Sequence, residues 1–209
     1  MEQLLEKLFE SVPKVRLLRL FIQNPEAHFT FYDIVERTNT NPSATKKELA
    51  KLTKLTLVKE KNAVVREEKI NKQRKKKSSP PPKKIIVFSL NPDFWCLEEL
   101  KDLVIKSSVA SRKRLLRQVK ALGKVKLAVI SGMFLNNDNA RTDLLLVGDD
   151  IGKRKLQNFL LQVESELGKS LSYTLMDTDE FKYRMNMYDR FLRDILEYPH
   201  EKLINKILS

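Results

Sequence analysis

The sequence predicts an α+β protein in two unequal parts: a helical unit closed by a β-hairpin, then a linker helix leading to a layered lobe. Three observations carry that prediction. Apolar residues recur at helical spacing through the first fifty-odd positions, and two β-branched stretches then flank a basic insert rich in proline. Beyond residue 124, extended and helical patterns alternate, as they do when a sheet is layered with helices. With 209 residues, 42% of them hydrophobic, the chain is long enough for two small cores. The expected division is 1–96, a linker over 97–123, and 124–209.

Val15, Leu18, Phe21 and Ile22 mark a first helix, which Asn24-Pro25 stops. The next, in HFTFYDIVERT, has a start signal of its own. Thr30 is placed to cap it, Asp33 three residues on completes a capping box, and Phe29 and Ile34 form a hydrophobic staple. After the polar turn TNTN, Asn41-Pro42 opens a third helix with a capping residue followed by the proline favoured at the first helical position. On this helix Leu49 and Leu52 face inward, while Ser43, Lys46, Lys47, Ala50 and Lys54 fall on the other side. Two short helices joined by a tight polar turn make a helix-turn-helix, whose second helix enters the major groove of DNA. Ser43, Thr45, Lys46, Lys47, Lys51 and Lys54 are therefore the candidate contacts on it; a merely solvated lysine face is the alternative.

LTLVKEKNAVVRE and KKIIVFSLNP then read as the two strands of a hairpin. Between them the insert EKINKQRKKKSSPPPKK forms a long tip that holds Lys69, Lys72, Arg74, Lys75, Lys76, Lys77, Lys83 and Lys84. Three prolines and two serines oppose further pairing, so the tip is expected to order only against a partner. Six cations on phosphates would give a log-log salt slope of about −5 from this element alone. The RKKK run would also serve as a nuclear-import address in another kind of cell. Trp95, Phe94 and Cys96 are expected to pack at the junction between the two parts.

This order of helices and hairpin, closing with FSLNPDFWCLEELKDLVIK, resembles the winged-helix domains of small bacterial and archaeal transcription regulators. The resemblance covers about the first 105 residues. It implies a prokaryotic, cytoplasmic, nucleoid-associated protein that binds double-stranded DNA, and a homodimer is expected because one short helix reads few bases.

From Leu97 to Leu122 the pattern is helical with a break near Ser107-Ser108, and Leu115, Leu116 and Val119 form its apolar side. Arg112, Lys113, Arg114 and Arg117 make a second basic cluster there. KLAVISGMF and RTDLLLVGDD then read as strands, KRKLQNFLLQVESEL as a helix, SLSYTLM as a strand, and DEFKYRMNMYDRFLRDILEY as one or two helices. A strand ending in glycine, a polar loop, and DLLLVGDD before a helix resemble the minimal nucleotidyltransferase domain of the DNA polymerase beta superfamily, over roughly residues 125–207.

Active members of that family hold Mg²⁺ on carboxylates two residues apart, with a third nearby, after a Gly-Ser turn. Here Gly132 keeps the glycine, Met133 replaces the serine, Arg141 stands at the first carboxylate position, and Asp143 fits the second. A cation at Arg141 would repel the metal. Asp149 and Asp150 are read as caps of the following helix, and Asp177 falls just past the strand that should carry the third carboxylate. The resemblance thus implies a catalytically inert domain, with no metal or cofactor and no nucleotide bound, retained for sensing or oligomerisation.

The net charge of +13 favours a polyanionic partner and leans towards the first half, with 22 basic and 14 acidic residues up to Lys106 against 18 and 13 beyond. A single cysteine, Cys96, excludes an intramolecular disulfide and a Cys-based zinc site; His28 and His200 are isolated. No apolar run approaches a membrane span, and MEQLLEKLFESV lacks the pattern of a secretory signal. The leading expectation is a transcription regulator. The alternatives are an active nucleotidyltransferase, such as an antitoxin that modifies its partner, and a non-specific RNA- or ribosome-binding protein.

Overall fold

The computed structural model describes residues 4–65, 83–107, 112–135, 137 and 139–208, which form a mixed α+β fold. The chain opens with α1 (Leu4–Phe9) and α2 (Val12–Gln23), the latter capped by Ser11, which accepts from the Lys14 N–H, and closed at Asn24 as the Asn-Pro pair requires. Strand β1 (Phe29–Thr30) leads straight into α3 (Phe31–Thr38). The capping box is present in both directions, and Phe29 and Ile34 are both buried where the staple places them. Asn39 ends α3 in the left-handed region, with φ 47°, and Asn41 caps α4 (Pro42–Lys54) through the Ser43 N–H. Strands β2 (Val58–Val65) and β3 (Lys83–Leu90) pair antiparallel from Val58 opposite Leu90 to Val65 opposite Lys83. β1 adds to the far side of β3, giving the order β1-β3-β2. The tip, residues 66–82, lies outside the described residues and takes Lys69, Lys72, Arg74, Lys75, Lys76 and Lys77 with it.

The expected linker is two helices that side with different cores. α5 (Leu97–Ser107) contributes Leu97 and Val104 to the first core, beside Val15, Phe21, Ile34 and Leu52. α6 (Arg112–Lys120) contributes Leu115 and Val119 to the second. Residues 108–111, where the expected break falls, lie outside the described residues. At the junction the expectation for Trp95 fails: it is 87% exposed, and only Phe94 beside it packs against the first core. The turn Asn91 to Phe94 holds its shape through its own hydrogen bonds, Asp93 N–H to Asn91 Oδ1 and Phe94 N–H to the Asn91 carbonyl, so burial of the indole is not needed to form it.

The second lobe is built on a sheet of order β6-β5-β4-β7. β4 (Lys124–Ile130) and β5 (Leu144–Asp149) run antiparallel; α7 (Lys153–Leu167) crosses over to β6 (Tyr173–Met176), parallel to β5. α8 (Thr178–Asn186) and α9 (Arg190–Glu197) follow, and β7 (Glu201–Asn205) returns antiparallel to β4. The run LLLV in β5 is buried on both faces. Leu144 and Leu146 join α6 and α7 in one core, while Leu145 and Val147 join Phe181, Leu192 and Ile195 in the other.

The lobes meet where α7 packs on α2 and α3. Gly168 ends α7 at φ 80°, and a Cβ there would stand 2.5 Å from the Arg19 carbonyl carbon, so only glycine permits this approach. Asn24 Nδ2 donates to the Gly168 carbonyl at 2.7 Å, and Arg19 Nη1 to the Glu166 carbonyl at 2.7 Å. Arg19 is 9% exposed, and burial pulls its pKa below the usual arginine value. Gly168→Ala should therefore lower unfolding stability by at least about 2 kcal/mol, combining a left-handed penalty with a backbone clash. A urea melt of the full chain checks this, and an unchanged midpoint would contradict the docking described.

Candidate nucleic-acid interface

Helix α4 divides into two faces. Thr45, Glu48, Leu49 and Leu52 are buried, whereas Ser43, Lys46, Lys47, Ala50, Lys51 and Lys54 are exposed. Thr45 is thus withdrawn from the expected contact set: it is 0% exposed, and its hydroxyl donates to the Asn41 carbonyl at 3.0 Å. Its oxygen is also 2.7 Å from Thr40 Oγ1, itself 2.8 Å from Thr38 Oγ1. Position 45 lies on the 45-49-52 stripe that faces the core, and the hydroxyl is buried because the turn supplies its partners.

Two further groups hold that turn. Arg16 Nη1 donates to the Thr38 and Asn39 carbonyls, both at 2.9 Å, satisfying acceptors that the end of α3 leaves open. Beneath α4, Glu48 accepts from Lys51 at 2.7 Å and lies 3.6 Å from Lys14. Burial alone would push the Glu48 carboxyl up, but the Lys51 hydrogen bond and the Lys14 charge outweigh it and pull the pKa below its usual range. Lys51 is consequently engaged by a carboxylate within the chain.

Lys46, Lys47 and Lys54 differ from Lys51. Among the described residues, none of them makes an ion pair. A trough of about 440 Å³, lined by Lys46, Ala50 and Thr53 on one side and Glu60, Ile86 and Phe88 on the other, separates α4 from the hairpin. Lys84 is exposed on β3, and Lys83 opens the same strand. Tyr32, 74% exposed in the first turn of α3, is a surface aromatic that the sequence reading passed over; its signal was the helix start itself.

In the second lobe the four motif positions have other occupations. Gly132 sits at φ 56° and the Met133 N–H donates to Asp143 Oδ1 at 2.8 Å. The other oxygen of Asp143 accepts from the Ser172 N–H at 2.9 Å, so both oxygens tie backbone segments together. Arg141 pairs with Asp194 of α9 at 3.0 Å. Among the described residues, no three His, Cys, Asp or Glu side chains are grouped so as to hold a metal ion, and no helix is long and apolar enough to cross a membrane.

The capping expectation for Asp149 and Asp150 is overturned. α7 starts from Gly152 without a side-chain cap, and Asp150 pairs with Lys124 at 2.8 Å. Asp149 reaches the start of α8 instead, accepting from Lys126 Nζ at 2.8 Å and from Thr178 Oγ1 at 2.8 Å and its N–H at 3.1 Å. Asp177 is the residue that caps α8, through the Glu180 N–H at 2.7 Å. Sequence spacing put the acidic pair next to α7, and only the sheet's three-dimensional order brings α8 to it.

Compared with protein-family models, curated proteins and solved structures, the chain matches none.

The Lys126 hydrogen bond, and then those from Thr178, hold the Asp149 pKa at about 2, against 3.8 for a free side chain. Because the folded value is depressed, the stabilisation is complete above about pH 4 and disappears as pH falls towards 2. Asp149→Asn should accordingly melt below the parent at neutral pH, and the gap should close across that acidic window. Thermal melts at a series of pH values test it; a gap independent of pH would show that the charge is not involved.

Proposed function

We propose that the first lobe is a winged helix-turn-helix that binds double-stranded DNA, and that the chain is a transcription regulator acting as a homodimer on the prokaryotic nucleoid. One observation carries this reading. Among the described residues, Lys46, Lys47 and Lys54 stand without carboxylate partners on the outer face of a helix whose inner face is core, and the second lobe docks elsewhere, on α2 and α3.

α4 is a 13-residue helix, and with side chains a helix matches the roughly 12 Å major groove. Ser43, Lys47 and Ala50 read base edges while Lys46 and Lys54 reach phosphates, with Tyr32 beside the backbone at the start of α3. The hairpin returns beside α4, and its basic tip grips phosphates or the minor groove.

The second lobe, in this reading, is a nucleotidyltransferase-like domain without catalysis, kept for sensing or oligomerisation. The residues support that role through their present bonds: Asp143 braces the Gly132 turn, and Arg141 is held by Asp194. Neither is disposed as a pair of metal-binding carboxylates.

Binding to duplexes selected from a random pool, followed by fluorescence anisotropy across a salt series, tests the proposal. Lys46→Ala with Lys47→Ala should relax sequence choice through the loss of Lys47 and reduce the log-log salt slope by about 1 through the loss of Lys46, since each phosphate contact contributes roughly 0.9. Deleting residues 73–79 should instead weaken every duplex alike and reduce the slope by about 4. Equal competition by any RNA at fixed salt sinks the regulator reading, and Mg²⁺-dependent nucleotide transfer to any acceptor sinks the inert second lobe.

A further inference from the structure

The two edges of the second sheet are treated very differently. β7 is guarded: Glu201 and Lys202 are charged, Glu201 pairs with Arg112, and the register against β4 shifts between Ala128 and Val129. Charges and bulges of this kind keep an edge from pairing with another chain. β6, at the opposite edge, has neither. From Ser170 to Met176 the sequence holds no charged residue and no proline, and Tyr173 and Leu175 are 45% and 38% exposed.

The backbone of β6 shows which groups are open. The Ser172 carbonyl accepts from the Asp143 and Leu144 N–H groups, and its N–H donates to Asp143 Oδ2, so Ser172 faces β5 in both directions. Strand residues alternate, and Tyr173 and Leu175 therefore turn their N–H and C=O groups away from β5. Among the described residues, no hydrogen bond outside the β5 ladder involves the backbone of Tyr173 to Met176. Their side chains also share one face, the one on which Leu144 and Leu146 enter the core under α7.

We infer that β6 is the dimer interface: it pairs antiparallel with β6 of a second copy of this chain, joining the two sheets into one. One register makes the strand complementary to itself. With Thr174 opposite Thr174 of the second copy, Tyr173 and Leu175 of each strand become hydrogen-bonded pairs, exchanging about four backbone bonds. Each Tyr173 ring then lies across from Leu175 of the second copy, an aromatic-aliphatic pair of the kind that stabilises adjacent strands.

The ends agree in charge. Antiparallel pairing brings the Lys169 end of each strand beside the Asp177 to Asp179 end of the other. Lys169 and Asp179 are both exposed and, among the described residues, neither has an ion pair. A second copy is chosen as occupant partly on the regulator reading, on which the inference rests to that extent, because a single short helix reads few base pairs and a two-fold supplies a second α4.

The test uses the full chain without nucleic acid. In a Cys96→Ser background, Thr174→Cys should form a disulfide-linked dimer on oxidation, because a non-hydrogen-bonded pair sets the two Cα atoms about 4.5 Å apart. Lys202→Cys, on the guarded edge, should not. Leu175→Lys replaces an exposed side chain and should keep the circular dichroism spectrum while raising the dimer dissociation constant at least about tenfold by analytical ultracentrifugation. A protein that stays monomeric at its highest soluble concentration, a dimer indifferent to Leu175→Lys, or equal cross-linking at both edges would overturn the inference. None of these readouts involves α4, so their failure leaves DNA binding standing, and a dimer that ignores every duplex removes the regulator reading alone.

Discussion

The arrangement of the whole chain depends on a backbone-to-backbone approach at the end of α7. Gly168, at φ 80°, lies against Arg19 at a distance no Cβ would allow, and Asn24 and Arg19 fasten the same segment by hydrogen bonds. Because this contact falls on α2 and α3, the second lobe is seated away from the outer face of α4. The same α2 supplies Arg16, which holds the Thr38 and Asn39 carbonyls and so sets the turn from which α4 departs. One helix thereby fixes both the seat of the second lobe and the aim of the cationic face.

On α4 itself, the distribution of charge follows from what lies beneath. Glu48 is buried and draws in Lys14 and Lys51, so those cations belong to the fold. Lys46, Lys47 and Lys54 have no such carboxylate among the described residues and remain available to an external anion. Thr45 completes the pattern from the other side: a hydroxyl on the core stripe that ties the turn through Thr40 and Asn41. The helix is thus held from within by polar bonds and faces outward with bare positive charge.

Much of the first lobe was legible because local signals and tertiary structure agree. Thr30-Asp33 and Asn41-Pro42 mark helix starts by bonds made within four residues, and those bonds are present. Strands β2 to β6 and α7 were legible for a similar reason, since apolar periodicity reports one buried face or two. What escaped reading depends on distant partners. Asp149 serves α8 through sheet order, Thr45 is buried because a turn offers acceptors, and Trp95 is exposed although its composition suggests packing. α1, β1 and β7 were missed as well: β1 is two residues long, and the charged start of β7 masks a strand that exists only against β4. The proposed contact set was legible as far as the lysines of α4, but not the division between Lys51 and its neighbours, which needs the position of Glu48.

We propose that the outer face of α4 meets the base edges of a duplex. Amide chemical-shift mapping of the full chain, titrated with its best duplex from a random pool, addresses this residue by residue. The largest changes should fall at Ser43, Lys46, Lys47 and Ala50, with smaller ones at Tyr32 and Lys84 and little over β4, β5 and α9. Changes centred on the second lobe, with α4 silent, would contradict it.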